Sequence, residues 1–258
     1  MITSAQNPKL KLVRALLGRP KERREANAFV IEGIRLIEEA VTAGWKFQFA
    51  LYSDGLSERG QDLLKVLIAH RIEVDEVAGD LLQKLSDTET PQGILAVLEF
   101  TNLQIPDTLN FILIPDQIRD PGNLGTLIRT AAAAGVQAIF LPDETADAFA
   151  PKVVRAGMGA HFRLPIHSMT WDEIAERTKD LQVYLADMDG QSCWESDLCK
   201  PLALIVGGEA EGASEEARKL ATQKISIPMA GNVESLNAGV AGSVLMFEVV
   251  RQRGKSVG

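Results

Sequence analysis

The chain has 258 residues, which is enough for one large domain or two ordinary ones. Hydrophobic residues make up 46% and charged residues 24%, the balance of a soluble globular protein, and the apolar stretch 236–250 is too short and too polar to cross a bilayer. The net charge of −8 argues on its face against a nucleic-acid partner. The N-terminus has no apolar signal core, so we predict a cytoplasmic protein.

The first hundred residues alternate strand-like and helix-like segments. Strands are predicted at 28–32, 47–52, 72–77 and 94–100, and helices at 34–43, 56–70 and 80–85. This pattern predicts a small α/β domain over residues 1–102. Residues 103–110 contain Pro106 and show little periodicity, which indicates a linker.

A second α/β pattern runs from residue 111 to residue 258. Strands are predicted at 111–115, 138–141, 163–166, 183–186, 203–206 and 225–228, and helices at 122–135, 214–222 and 236–251. Short apolar strands separated by helices predict a mainly parallel sheet that is covered on both faces.

Basic residues are concentrated near the N-terminus, although the whole chain is acidic. Residues 1–35 carry three acidic and eight basic side chains, the latter being Lys9, Lys11, Arg14, Arg19, Lys21, Arg23, Arg24 and Arg35. Because salt screens repulsion from distant charges, such a cluster can contact phosphates even on an acidic protein. A solvated amphipathic helix with these side chains on its outer face is the alternative interpretation.

Cysteine and histidine residues form no pattern typical of a metal site. Cys193 and Cys199 are separated by five residues and have no histidine nearby, and disulfides are rare in cytosolic proteins. His70, His161 and His167 are scattered and fit no ligand spacing. We therefore predict neither a bound metal nor a disulfide.

The first segment that indicates chemistry spans residues 116–129. Arg129 is the only charged residue between Asp120 and Asp143, and it follows Leu127 and Ile128. A guanidinium among apolar residues needs partners if it is buried, whereas a surface arginine paired with an acid is the simpler interpretation. The strand–helix–strand order here resembles a dinucleotide-binding unit, but Asp120 occupies the first glycine position of G-x-G-x-x-G, which argues against NAD.

Residues 204–214 form the second segment, a strand followed by a glycine turn and a helix start. Glycines let a ligand approach the backbone closely. Glu209 and Glu211 lie within the turn and would repel a triphosphate, so a ligand with a cationic centre suits it better. An ordinary strand-to-helix connection explains the same glycines.

In the third segment, residues 225–242, a polar loop precedes a helix rich in small residues. The loop contains Asn232, Glu234, Ser235 and Asn237, and the helix begins with Ala238, Gly239, Ala241 and Gly242. Small residues weaken a helix unless something packs closely against it. That partner could be another helix, a second subunit or a ligand.

Together the three segments resemble the motifs of the SpoU/TrmH methyltransferase family in order and spacing. The matching stretches are Asn123-x-Gly125-x-x-x-Arg129, Gly208-Glu209-x-x-Gly212, and Ile227-Pro228-Met229 through Asn232 to Asn237. Residues 4–33 and 90–94 are similar to the RNA-binding extension of the rRNA-modifying relatives. The resemblance covers nearly the whole chain.

The resemblance implies an α/β fold with a deep trefoil knot, a homodimer, and 2′-O-ribose methylation of RNA with S-adenosylmethionine as donor. It favours ribosomal RNA, while transfer RNA, or a non-catalytic RNA-binding protein on the same fold, remains the alternative. Arg129 is the family's catalytic arginine. Because a guanidinium is effectively always protonated, we expect it to stabilise the developing alkoxide or to grip the adjacent phosphate rather than to act as a base.

The resemblance also assigns site residues by position. The catalytic set it implies is Asn123, Arg129, Glu209, Ser235 and Asn237. In this set Glu209 would orient Arg129 or Asn123, and Ser235 and Asn237 would position the ribose. The cofactor-binding set is Gly207, Gly208, Glu209, Gly212, Ile227, Met229 and Leu236. The RNA-binding set is Lys9, Lys11, Arg14, Arg19, Lys21, Arg23 and Arg24.

Overall fold

The computed structural model describes residues 1–86, 88, 90–208, 212–231 and 235–254. The helices and strands follow in the order α1 (Pro8–Gly18), α2 (Pro20–Ala26), β1 (Ala28–Glu32), α3 (Ile34–Thr42), β2 (Phe47–Tyr52), α4 (Glu58–Ala69), β3 (Val74–Glu76), α5 (Gly79–Gln83), β4 (Ile94–Glu99), β5 (Phe111–Asp116), α6 (Pro121–Ala133), β6 (Ala138–Leu141), α7 (Pro151–Gly157), β7 (Ile166–Ser168), α8 (Trp171–Thr178), β8 (Gln182–Ser192), β9 (Leu202–Gly207), α9 (Glu215–Leu220), β10 (Gln223–Ser226) and α10 (Ala238–Gly254). No helix in these ranges is long and apolar enough to cross a membrane.

One compact unit contains Met1–Asn102 together with Phe149–Phe162. Its sheet has the strand order β1-β4-β2-β3, in which only β2 and β3 run parallel. Helix α1 begins at Pro8 because the side chain of Asn7 accepts a hydrogen bond from the backbone N–H of Lys9. Apolar residues of α1, including Leu10, Val13 and Leu16, are fully buried against the sheet core.

The other unit contains Leu103–Ala148 and the described residues from Arg163 onward. Its six strands are all parallel, in the order β10-β8-β9-β5-β6-β7. Every residue of β5 and β6 is buried, as expected for central strands that are covered on both faces. The predicted α/β class with a mainly parallel second sheet is confirmed.

The segment Phe149–Phe162 belongs to the first unit, whereas the sequence-based division assigned it to the second domain. Helix α7 packs against β1, and the ring of Phe149 contacts the rings of Phe29 and Phe100. These contacts are distant in sequence and cannot be read from local periodicity. Residues 103–110, the predicted linker, lie in the second unit without a helix or strand.

Several elements differ from their predicted limits. Strand β7 covers Ile166–Ser168 rather than 163–166, and β8 has 11 residues where four were predicted. Helices α7 and α8 were missed, because they are short and the second is largely polar. Helix α8 depends on a reciprocal capping box between Thr170 and Glu173 rather than on a long apolar stripe.

Candidate active site

A cavity of about 330 Å³ lies at the carboxyl ends of β8 and β9 and beside α10. Ligands of parallel α/β sheets bind outside the carboxyl ends of the strands, so this is the expected place for one. Every described residue of the predicted cofactor-binding set lines it, namely Gly207, Gly208, Gly212, Ile227, Met229 and Leu236. Ser235 of the predicted catalytic set lines it as well. The structure therefore gathers residues from the second and third segments around one space.

Two glycines at the end of β9 are required by close backbone approach. A Cβ atom on Gly207 would lie 2.7 Å from the backbone nitrogen of Ala213, and one on Gly208 would lie 2.5 Å from the carbonyl oxygen of Gln117. Gly212, which closes the same turn, has a φ of +70°. A side chain at Gly207 or Gly208 would overlap neighbouring backbone, so only glycine allows the chain to pack this closely beside the cavity.

Another wall contains a five-residue excursion of β8, Ala186–Gly190. Strand β10 pairs Lys224 with Leu185 and then Ile225 with Gln191, so the intervening residues of β8 have no pairing partner in β10, although Ala186 still pairs with Val206 of β9. The excursion contributes Ala186, Asp187, Met188 and Asp189 to the cavity lining. The sequence prediction missed these residues because it ended the strand at residue 186. The carboxyl end of a strand next to the glycine turn was the signal that could have identified them.

Asn123 and Asn237 are in direct contact, although 114 positions separate them. The side-chain amide of Asn237 donates to the side-chain oxygen of Asn123 at 2.8 Å. Asn123 is held at the start of α6, where Asp120 accepts a hydrogen bond from its backbone N–H. The side-chain oxygen of Asn237 accepts from the backbone N–H of Val240 and so begins α10. Because Ala238 lines the cavity, this pair lies next to it.

Arg129 lies on α6 with an exposed side chain. No hydrogen bond or ion pair joins its guanidinium to another residue in the described part of the chain, and it is not part of the cavity lining. Of the two interpretations that the sequence left open, the structure contradicts burial, because the helix turns this side chain towards solvent. Glu209, which was expected to orient it, lies outside the described residues, as do Asn232 and Glu234.

A buried carboxylate, Asp116, connects the first segment to the second. It ends β5 beside Gly207 of β9, and one of its oxygens accepts a hydrogen bond from the backbone N–H of Ser214 at 2.6 Å. Burial raises the pKa of Asp116, and the hydrogen bonds from Ser214 oppose that shift. Asp116 thus fixes the position of the chain where the glycine turn ends and α9 begins.

The small residues of α10 pack against another helix of the same chain. A Cβ atom on Gly242 would overlap the side chain of Leu127 on α6, and one on Gly239 would lie 3.3 Å from the side-chain oxygen of Asn123. The hydroxyl groups of Ser243 and Thr130 are 2.9 Å apart. Of the three partners left open by the sequence, a neighbouring helix is the one for Gly239 and Gly242, whereas Ala238 and Ala241 line the cavity.

The predicted RNA-binding residues divide into two groups. Lys11, Arg14, Arg19, Lys21 and Arg24 are exposed on α1 and α2 or between them. Arg23 is only 2% exposed, and its guanidinium donates to the carbonyl oxygens of Leu16 and Gly18. Lys9 is partly buried and pairs with Glu73 and Asp75. The last two serve the local structure, which corrects their assignment to RNA contacts.

Neither cysteine has features of a catalytic or metal-binding residue. Cys193 is fully buried, and this burial raises the pKa of its thiol to about 11. Cys199 is exposed, and neither cysteine forms a disulfide in the described part of the chain. Within the described ranges no three His, Cys, Asp or Glu side chains form a group that could hold a metal ion.

Family models match two parts of the chain. Residues 110–247 match the SpoU rRNA Methylase family, and residues 7–96 match the MRM3-like substrate binding domain. The 23S rRNA (uridine(2479)-2'-O)-methyltransferase of Streptomyces viridochromogenes is 34% identical over 97% of this chain and 92% of its own length. The 23S rRNA (guanosine(2553)-2'-O)-methyltransferase RlmP of Bacillus subtilis is also 34% identical, over 96% and 98% respectively.

Solved structures agree with these matches. The SpoU methyltransferase AviRb from Streptomyces viridochromogenes, in complex with the cofactor AdoMet, superimposes with a TM-score of 0.88 at 32% identity and covers 96% of this chain and 98% of its own. An AdoMet-bound rRNA methyltransferase from Sinorhizobium meliloti gives a TM-score of 0.85 at 31% identity and covers 97% of each chain. The similarity therefore extends over both units.

Proposed function

The chain belongs to the SpoU rRNA methylase family, and from this we propose that it transfers the methyl group of S-adenosylmethionine to a ribose 2′-oxygen of ribosomal RNA. The observation that carries the proposal is the convergence of three sequence segments on one site. The glycine turn after β9 and the loop before α10 line the cavity, and the Asn123–Asn237 hydrogen bond joins the first segment to the third beside it.

The residues of the cavity fit S-adenosylmethionine. Its volume of about 330 Å³ is within the range of small-ligand pockets, about 300–1,000 Å³. Gly207 and Gly208 line the cavity without side chains, and Ile227, Leu236 and Leu245 supply apolar contact. The carboxylate of Asp189 suits a ligand that carries positive charge. The bound cofactor supplies an electrophilic methyl group.

The protein's own contribution is alignment and charge stabilisation. Attacking oxygen, methyl carbon and sulfur must lie in line, so positioning provides much of the rate enhancement. Ser235 and the Asn123–Asn237 pair hold the ribose beside the cavity. Arg129 projects into solvent from the same helix as Asn123, where it can reach an incoming RNA strand. It stabilises the developing alkoxide or binds the adjacent phosphate, because a guanidinium keeps its proton at neutral pH.

Ribosomal RNA is the substrate favoured over transfer RNA. The N-terminal match is to a substrate-binding domain, and the two relatives named above act on 23S rRNA. The exposed basic residues of α1 and α2 supply phosphate contacts in that unit. These few basic residues can contact RNA despite the net charge of −8, because salt screens the RNA phosphates from the acidic side chains elsewhere on the chain.

A homodimer is part of the same proposal. Helix α10 carries an exposed apolar face formed by Val240, Val244, Phe247 and Val250, and Trp194 lies against it. This face is distinct from the small residues that pack on α6 and from Ala238, Ala241 and Leu245, which line the cavity. Apolar side chains grouped in this way indicate a protein interface. A second copy of the chain covers the face.

Calorimetric titration of the purified protein tests the cofactor assignment. We expect saturable binding of S-adenosylmethionine and no binding of NAD⁺, the ligand of the dinucleotide-binding alternative. Saturable NAD⁺ binding without S-adenosylmethionine binding would reverse the assignment.

A further inference from the structure

Asp187 is the centre of a charged cluster at the cavity wall. One of its carboxylate oxygens accepts a hydrogen bond from the backbone N–H of Asp189 at 3.1 Å. The other lies 2.9 Å from the Nζ atom of Lys224 and 3.4 Å from a terminal guanidinium nitrogen of Arg218. The Lys224 ammonium, the Asp189 N–H and the Arg218 guanidinium together hold the pKa of Asp187 below its ordinary value, against the opposing effect of burial. The carboxylate therefore stays charged, and its partners order the β8 excursion.

Arg218 connects this cluster to the glycine turn after β9, which forms another wall of the cavity. Its Nε atom donates to the carbonyl oxygen of Ala213 at 3.2 Å, and a Cβ atom on Gly212 would lie 3.3 Å from its other terminal nitrogen. Gly212 and Ala213 end the glycine turn after β9. A single guanidinium on α9 thus bonds both to the turn and, through Asp187, to the excursion. Its planar fork of donors allows the two contacts at once.

Gly190 fixes the far end of the excursion. A Cβ atom there would lie 2.5 Å from the backbone nitrogen of Ile225, and its carbonyl oxygen accepts a hydrogen bond from the hydroxyl of Ser226 at 2.8 Å. The remaining freedom of the excursion lies at Met188 and Asp189, which are exposed. At its other end the excursion is held by the pairing of Ala186 with Val206 and by the Asp187 cluster.

We propose that Arg218 is a positioning residue that sets cofactor affinity by holding the glycine turn and the β8 excursion at a fixed separation. Arg218 itself lines the cavity, and it acts on the walls through Ala213 and Asp187 rather than on the reacting groups. Walls that are already ordered lose less conformational freedom when the ligand binds. Loss of the contacts that order them therefore weakens binding and leaves the bound geometry intact. The proposal rests on the assignment of the cavity to S-adenosylmethionine.

The test compares Arg218→Gln, Asp187→Asn and the double variant by calorimetric titration with S-adenosylmethionine and by steady-state methyl transfer. We expect the dissociation constant and the KM for the cofactor to rise about three- to tenfold in each single variant, with kcat nearly unchanged. The double variant should lose less affinity than the two single losses combined, because both changes break the Arg218–Asp187 contact. Lys219→Gln is the matched control, since Lys219 lies on the same helix and pairs with the exposed Glu215 at 3.7 Å.

Wild-type affinity in Arg218→Gln, or losses that simply add in the double variant, would overturn the proposal. Arg218→Lys separates geometry from charge: we expect it to recover only part of the affinity, because a single ammonium cannot make both contacts. If the wild-type protein itself fails to bind S-adenosylmethionine, the cofactor assignment fails, and this inference fails with it.

Discussion

At the scale of single residues, the Asn123–Asn237 hydrogen bond joins two loops that are far apart in sequence. Each asparagine also has a local role, because the backbone N–H of Asn123 is capped by Asp120 and the side chain of Asn237 caps α10. Truncation of Asn123 removes the shared hydrogen bond and leaves both caps in place. Asn123 is therefore the better position at which to separate function from folding.

For Asn123→Ala we expect methyl transfer to fall by at least about tenfold, because the ribose loses a positioned partner. The free energy of unfolding should fall by no more than about 0.5–1.5 kcal/mol, the net contribution of one partly exposed hydrogen bond. Thermal unfolding and single-turnover methyl transfer measure the two effects. Thr126→Ala, one turn further along α6, is the control, and equal activity losses in both variants would contradict a specific role for Asn123.

Arg129 provides a second prediction at this scale. Arg129→Lys keeps the charge and removes the planar fork, so we expect kcat to fall about tenfold to a hundredfold while the affinity for S-adenosylmethionine is unchanged. Arg177→Lys, an exposed arginine on α8, should retain full activity. Near-normal turnover of Arg129→Lys would show that the guanidinium geometry is not required.

The sequence predicted which residues surround the cavity better than which side chains are buried. Gly207, Gly208, Gly212, Ile227, Met229 and Leu236 follow from motif spacing, and all line the cavity. Arg23 and Lys9 belong to a basic run whose charges look equivalent in sequence. Their partners, the carbonyl oxygen of Leu16 and the carboxylates of Glu73 and Asp75, are brought near only by folding.

At the scale of secondary structure, α10 has three different neighbours and therefore no single polar face. Gly239, Gly242 and Ser243 face α6, Ala241 and Leu245 line the cavity, and an apolar row is exposed. A helix of this kind does not show the stripe of an ordinary surface helix. Its existence could be predicted from the sequence, but the partner of each face could not.

Gly242→Ala tests the packing of α10 on α6. The added methyl group would overlap the fully buried Leu127, so we expect the free energy of unfolding to fall by about 1–3 kcal/mol. Gly254→Ala, in the same helix with open space around its Cα, should be neutral or slightly stabilising. Chemical denaturation measures both, and a neutral Gly242→Ala would contradict close helix packing at this position.

The β8 excursion could not be predicted because its cause is in another strand. The adjacent residues Lys224 and Ile225 of β10 pair with Leu185 and Gln191 of β8, which are six positions apart, and this shift in register produces the excursion. Local periodicity reports only which residues alternate along one strand. The strand was therefore predicted to end at residue 186, and Asp187, the centre of the cluster, fell outside every predicted element.

At the scale of the whole molecule, the α/β class followed from apolar strands alternating with helices. The assignment of Phe149–Phe162 to the first unit did not, because it depends on contacts between α7 and β1. The trefoil knot and the homodimer remain predictions from the family resemblance, and the cytoplasmic location remains a prediction from the N-terminal sequence. Of these, the homodimer can be tested directly from the exposed face of α10.

A charge within that face should separate the subunits. Phe247 is 49% exposed, and Phe247→Glu places a carboxylate where apolar contact is expected. We expect the wild-type protein to sediment as a dimer and this variant to sediment as a folded monomer. Ile68→Glu, at a side chain 59% exposed on α4, is the control and should not alter the sedimentation coefficient. A monomeric wild-type protein would contradict the homodimer.

Transfer of radiolabelled methyl from S-adenosylmethionine to purified rRNA and tRNA tests the central claim most directly. Nuclease digestion and nucleoside analysis of the labelled RNA identify both the substrate class and the methylated atom. We predict label in rRNA that is recovered as a single 2′-O-methylated nucleoside. Label confined to tRNA, or label on a base, would contradict the account. The account would also be contradicted if the protein bound the cofactor but transferred no methyl group to naked rRNA or to ribosomal subunits.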